Sequence, residues 1–131
     1  MILLDTHVLV WDALSPSRLS AKAKAAIVQA NAGDGLLIAD ITLWEVAMLL
    51  QKGRLQVATT PLDFLNLLIQ ANKITVQSVT PQIATISASL PPPLNKDPAD
   101  RIIVATAIAE GIPLVTADQN LQNSQLFTTI W

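Results

Sequence analysis

Short apolar runs alternate along this chain with longer stretches in which apolar residues recur at helical spacing. Ile2-Leu3-Leu4 predicts a first strand that ends at Asp5, followed by a helix carrying Val8, Leu9 and Val10. Ser20 predicts the N-cap of a helix through Ala30, which Asn31-Ala32-Gly33-Asp34-Gly35 breaks. Leu36-Leu37-Ile38-Ala39 is a second strand, and Thr42 then predicts the cap of a helix to about Gln51, with Gly53 beyond its end. Thr60-Pro61 starts a helix through about Ala71, because proline is pre-organised for the first helical position. Ile74-Thr75-Val76 is a short β-branched strand. Thr80-Pro81 starts a further helix, which ends before Pro91-Pro92-Pro93, a run that predicts an extended connector. Asp97-Pro98 opens a helix that carries Ile102, Ile103, Val104 and Ala105 toward Glu110, and Gly111 ends it. Pro113-Leu114-Val115-Thr116 is a fourth strand with Asp118 just after it, and residues 127–130 form a last one.

Strands alternating with helices imply an α/β fold built on a parallel sheet with right-handed crossovers. A length of 131 residues fits a single domain over residues 1–131. The composition is 51 % hydrophobic and 14 % charged, which suits a sheet buried on both faces, and a self-association surface would shift it the same way. The absence of cysteine excludes disulfides and thiolate metal sites and fits the cytoplasm. Neither a basic leader nor an apolar run of membrane-spanning length is present, so no membrane association is expected. A net charge of −2 argues against binding a polyanion by phosphate neutralisation alone. Positive charge at a phosphate site would have to come from elsewhere.

The carboxylates fall where such a sheet does chemistry, outside the carboxyl ends of its strands. Asp5 and Asp118 each follow a strand; Glu45 and Asp100 each lie in a helix's first turn. Each also has an ordinary structural reading. Asp5 and Asp118 can cap helices, Thr42-Leu43-Trp44-Glu45 has a capping-box pattern, and Asp97-Pro98-Ala99-Asp100 is a common helix start. What raises them above capping is their shared placement. Four gathered carboxylates raise one another's pKa unless a cation neutralises them. An all-oxygen set, with no cysteine and one histidine, favours Mg2+, with Mn2+ as a substitute, over zinc. Such an ion can hold a phosphate oxygen and activate water.

With those residues in place, the sequence resembles the PIN-domain nucleases, in particular toxins of the VapC type. The resemblance covers nearly the whole chain. It rests on Leu3-Leu4-Asp5-Thr6-His7, Thr42-Leu43-Trp44-Glu45-Val46-Ala47, Lys52-Gly53-Arg54-Leu55, Asp97-Pro98-Ala99-Asp100-Arg101 and Leu114-Val115-Thr116-Ala117-Asp118, in that order, with Thr129-Ile130-Trp131 at the end. The resemblance implies a three-layer α/β/α sandwich with a central, mostly parallel sheet, an Mg2+-dependent endoribonuclease that cuts single-stranded RNA as the toxin of a toxin–antitoxin pair, a homodimer, and a VapB-like protein antitoxin. It places the four family acids on Asp5, Glu45, Asp100 and Asp118, with Asp5 and Asp100 the most direct metal ligands. Thr6 and Thr116 would hold those ligands by hydrogen bonds. Where relatives often carry a histidine before the third acid, this chain has Asn95-Lys96.

Other residues near the acids have competing readings. Asp97 reads as a helix cap that could touch metal or bound water. His7 is not needed as a base if a metal activates the water. Trp11 and Trp44 could stack on bases, with core or dimer packing as the alternative. Arg101 and Lys96 could meet phosphate, and Arg101 could instead pair with Asp97. Substrate choice is expected from residues 15–31 and 53–74. Two further readings of the same chain are a PIN-like binding module without catalysis and a PIN nuclease that has no antitoxin.

Overall fold

A computed structural model describes residues 1–94 and 97–131, so the expectation placed on Lys96 lies outside the described residues. Five strands form one sheet: β1 (Ile2–Leu4), β2 (Leu36–Ala39), β3 (Ile74–Gln77), β4 (Leu114–Val115) and β5 (Thr129–Ile130). Their order is β3-β2-β1-β4-β5 and every neighbouring pair is parallel. The chain thus builds outward from β1 on one side and then returns to build on the other. The reversal lies between β1 and β4, where such sheets open a crevice. Asp5 and Thr116 sit at the carboxyl ends of those two strands.

Helices α1 (Thr6–Leu14), α2 (Ala21–Ala32), α3 (Asp40–Gln51) and α4 (Pro61–Ala71) supply one core. There Val8, Leu9, Ala23, Ile27, Val46, Phe64 and Leu68 meet Ile2, Leu4, Leu36 and Ile38 of the strands. Helices α5 (Pro81–Ala88), α6 (Pro98–Glu110) and α7 (Gln119–Gln122) follow later in the chain. On the opposite face, Ile103, Val104 and Ala107 of α6 and Leu121 of α7 pack on Leu3, Leu37, Ala39 and Leu114. Alternate strand residues therefore enter alternate cores, which makes a three-layer α/β/α sandwich and explains why the strands read as unbroken apolar runs.

Three expectations change. The helix predicted to begin at Thr42 begins at Asp40, directly off β2, with Ala39 at its cap and no side-chain cap bond. With no loop between strand and helix, Thr42 lies inside the helix and is fully buried. The proline run is a turn rather than an extended connector, because the Leu94 N–H donates to the Pro91 carbonyl and the Leu94 side chain is buried in the second core. A short 3-10 turn at Pro16–Arg18, not anticipated, connects α1 to α2.

Gly35 brings the chain into β2 at a φ of 99°. A Cβ there would lie 2.5 Å from the Lys73 carbonyl oxygen, so the turn into β2 requires glycine. Among the described residues, no helix is long and apolar enough to cross a membrane.

Candidate active site

β1 ends in Asp5, and the chain turns at once into α1. The Asp5 side chain caps that turn: its Oδ1 accepts from the Thr6 N–H at 2.9 Å. Its Oδ2 accepts from the Thr116 hydroxyl at 2.7 Å, across the β1–β4 crevice. Thr116 Oγ1 in turn accepts from the Asp118 N–H at 3.1 Å. One hydroxyl thus joins the first carboxylate to the turn that presents the last. Asp5 is only 3 % exposed, so these bonds form with little competition from water.

A second chain of hydroxyls reaches Glu45. Thr6 Oγ1 donates to Glu45 Oε1 at 2.5 Å. Since Thr6 has given its proton there, its 3.0 Å contact with Thr42 Oγ1 has Thr42 as the donor. The relay Thr42 to Thr6 to Glu45 overturns the capping box. The Thr42 hydroxyl bonds a neighbouring helix instead of its own N-terminus, and Glu45 turns toward α1 instead of back along α3. The charge-assisted bond from Thr6 favours ionised Glu45, but burial outweighs it, and Asp5 and Asp97 add repulsion. The Glu45 carboxyl is consequently pushed above its ordinary range.

Asp100 carries the strongest electrostatic signature. Burial, followed by repulsion from Asp5, Asp97, Glu45 and Asp118, pushes its carboxyl up to about 7. Of the four acids singled out from the sequence, the other three therefore all act on Asp100. Asp5, Glu45 and Asp100 line a single cavity of about 240 Å3, whose other walls include Val10, Trp11, Leu49 and Leu55. Asp118 caps α7, its Oδ1 accepting from the Asn120 N–H at 2.8 Å. It reaches the group through its charge on Asp100.

Asp97 is the helix cap the sequence suggested, its Oδ1 accepting from the N–H groups of Ala99 and Asp100. Its charge nevertheless acts on both Glu45 and Asp100, so electrostatically it belongs with the other four. Arg101 does not form the ion pair considered for it with Asp97. Its Nε donates to the Ser87 carbonyl at 3.1 Å and ties α6 to α5. Trp44 is 59 % exposed, which removes core packing as its role. Trp11 is half-buried, in ring contact with His7 and Trp131, with the Arg18 guanidinium 4.3 Å over its ring.

His7 has a role that its sequence position does not suggest. Its Nε2 accepts from the Ala117 N–H at 3.1 Å, so it braces the turn between Thr116 and Asp118. A ring nitrogen that accepts a hydrogen bond leaves the proton of the neutral imidazole on Nδ1, which lies 3.7 Å from Asp5 Oδ2. The His7→Ala variant is expected to speed hydrogen exchange at the Ala117 amide about tenfold, the worth of roughly one hydrogen bond. His7→Gln, which keeps an acceptor, should preserve the protection. Equal exchange in parent and His7→Ala would show that the ring does not hold the turn.

The acids do not form a closed cage. Among the described residues, no group of three or more acidic or histidine side chains stands ready to ligate a metal ion.

Comparison with known proteins agrees with the geometry. The family model described as PIN domain matches residues 2–124. Ribonuclease VapC22 of Mycobacterium tuberculosis is 40 % identical over 122 residues, which cover 93 % of this chain and 90 % of that protein. Among solved structures, VapBC2 from Rickettsia felis, crystallised with a DNA fragment from its promoter, superposes with a TM-score of 0.72 at 18 % identity, covering 98 % of this chain and 97 % of that one. A toxin–antitoxin complex from Klebsiella pneumoniae gives 0.67 at 20 % identity, covering 95 % and 92 %. At these identities the two structures establish the shared fold.

Proposed function

The chain belongs to the PIN-domain family, with a VapC ribonuclease among its relatives, and on that premise we propose that it is a divalent-metal-dependent endoribonuclease cutting single-stranded regions of RNA. The observation that carries this reading is the cavity lined by Asp5, Glu45 and Asp100, in which burial and then repulsion from its acidic neighbours push the Asp100 carboxyl up to about 7. A cation relieves that repulsion, and the donor set is all oxygen. Asp5 and Asp100 would hold Mg2+ or Mn2+ most directly, with Glu45 and Asp118 completing the site. When bound, the ion supplies positive charge to a phosphate oxygen and lowers the pKa of water.

The chain's own groups do the rest. Thr6 and Thr116 fix the orientation of Glu45 and Asp5 by donating to one oxygen of each. Burial, the leading cause, pushes the Glu45 carboxyl above its ordinary range, which makes it a stronger proton acceptor than a free carboxylate. Arg101, next to Asp100 and held through Nε by Ser87, is our candidate for contact with a flanking phosphate.

We also assign the chain the role of toxin in a toxin–antitoxin pair, active in the cytoplasm as a homodimer and restrained by a VapB-like partner. Relatives of that kind support this assignment, as does exposed apolar surface at Trp44, Leu62 and Leu67 on the neighbouring helices α3 and α4. The direct test is cleavage of RNA by the purified chain with Mg2+ and with a chelator. Cleavage should require the ion and return when Mn2+ replaces it. Equal cleavage in chelator would sink the metal mechanism.

A further inference from the structure

The lining of the cavity at the acids falls into two chemical sets. Asp5, Thr6, His7, Glu45 and Asp100 are polar, whereas Val10, Trp11, Leu49 and Leu55 supply the apolar side. We propose that the apolar side is a subsite for one nucleobase of the bound strand, the base of a nucleoside flanking the phosphate that is cut. This inference rests on the ribonuclease reading and adds a position at which the substrate is chosen.

An RNA phosphate at the carboxylates brings its neighbouring nucleosides with it. Each phosphate joins two nucleosides, so the apolar lining of the same cavity is within reach of one of them. A second phosphate is disfavoured there, because the wall is apolar and the nearby carboxylates repel it. A base suits the wall, because it can bury an apolar face against Leu49 and Leu55 and meet an aromatic ring. At about 240 Å3 the cavity is smaller than the pockets that take drug-sized ligands, which matches a single ring system rather than a longer stretch of chain.

The wall is also preformed. Trp11 has a His7 ring at 4.9 Å and Trp131 at 5.9 Å, both tilted, and Arg18 over its ring. Bracing by three side chains lowers the cost of ordering the indole on binding. Arg18 also brings one of the chain's eight basic residues against this wall, in a protein of net charge −2. Arg18 and Leu55 lie within 15–31 and 53–74, the segments expected from sequence to govern substrate choice.

The test uses an oligoribonucleotide that the parent chain cleaves, remade with one abasic ribose at each position in turn. A single position beside the cut should raise KM by between about fivefold and a hundredfold, the range of one base–aromatic stack, with kcat nearly unchanged. Leu55→Trp, which fills the cavity from its half-exposed rim, should raise KM for the intact strand and cancel the abasic penalty. An abasic series with no distinguished position, measured on the parent alone, would overturn the subsite while leaving the nuclease intact. So would a Leu55→Trp variant that cleaves like the parent but escapes an antitoxin, since the cavity would then belong to the protein partner. A parent chain that cleaves no RNA would overturn the ribonuclease reading and the subsite together.

Discussion

Asp100→Asn is expected to lower RNA cleavage about a thousandfold and, in chelator, to raise the melting temperature at alkaline pH. The loss follows from the proposed role of Asp100 as a direct metal ligand, an interaction worth several kcal/mol in the transition state. The gain follows from electrostatics. Folding lifts the Asp100 carboxyl from an ordinary 3.8 to about 7, chiefly through burial and then through its acidic neighbours. Between those two values the folded chain holds a proton that the unfolded chain has released. Metal-free stability therefore falls as pH rises through that interval, and levels off above it. Asparagine has no charge to bury, so the variant should melt above the parent near pH 8 and close to it near pH 4. Added Mg2+ should stabilise the parent and leave the variant nearly unmoved, because only a protein that binds the ion gains from it. Thermal melts with and without Mg2+, alongside a cleavage assay, check each part. Parent-level cleavage by Asp100→Asn would remove this residue from the metal site.

The opposed signs point to a site kept at the expense of stability. Four acids act on Asp100, and two of them also on Glu45, around a crevice that the fold opens between β1 and β4. No basic side chain forms a salt bridge with them among the described residues, apart from His7 beside Asp5 if that ring is protonated. An internal cation would relieve the repulsion but would also occupy the place of a metal ion.

Much of this was legible in the sequence because it is local. Ser20, Thr60 and Thr80 each accept from the backbone N–H three residues on, as cap residues do, and their helices begin where expected. Ile2-Leu3-Leu4 and Leu36-Leu37-Ile38-Ala39 read as strands because both faces of each are buried. Failure came where a local pattern met a distant partner. Thr42 and Glu45 have capping-box spacing, yet both turn to Thr6, 36 and 39 residues away. His7 meets Ala117 across 110 residues, a contact that no sequence period encodes. Trp44 lies on a helix with apolar residues around most of its circumference, so its outward face could not be read from periodicity. The acids were legible as positions at a sheet edge. Their mutual repulsion, and the inclusion of Asp97 in it, became visible only in three dimensions.

The same substitution at Asp5 should reverse the stability effect. Asp5→Asn is expected to lose about a thousandfold in cleavage and also to melt lower than the parent, by roughly 5 °C. The reason is the direction of its hydrogen bonds. Both Asp5 oxygens accept: Oδ1 from the Thr6 N–H and Oδ2 from the Thr116 hydroxyl, whose own oxygen is already occupied by the Asp118 N–H. An asparagine must turn its NH2 group toward one of those two donors; facing Thr116, it makes that hydroxyl rotate to accept and leaves the hydroxyl proton without its carboxylate oxygen. In a site this buried, a donor left without its acceptor costs about 1–3 kcal/mol. Less repulsion on Asp100 and Glu45 offsets part of that cost, but burial is the leading cause of both shifts and remains after the substitution. The net sign should therefore be destabilising, with faster hydrogen exchange at Asp118 as its local signature. If Asp5→Asn instead melts above the parent in chelator, then relief of charge outweighs the hydroxyl relay. Asp5 would then be, like Asp100, a residue held in place for the metal rather than for the fold.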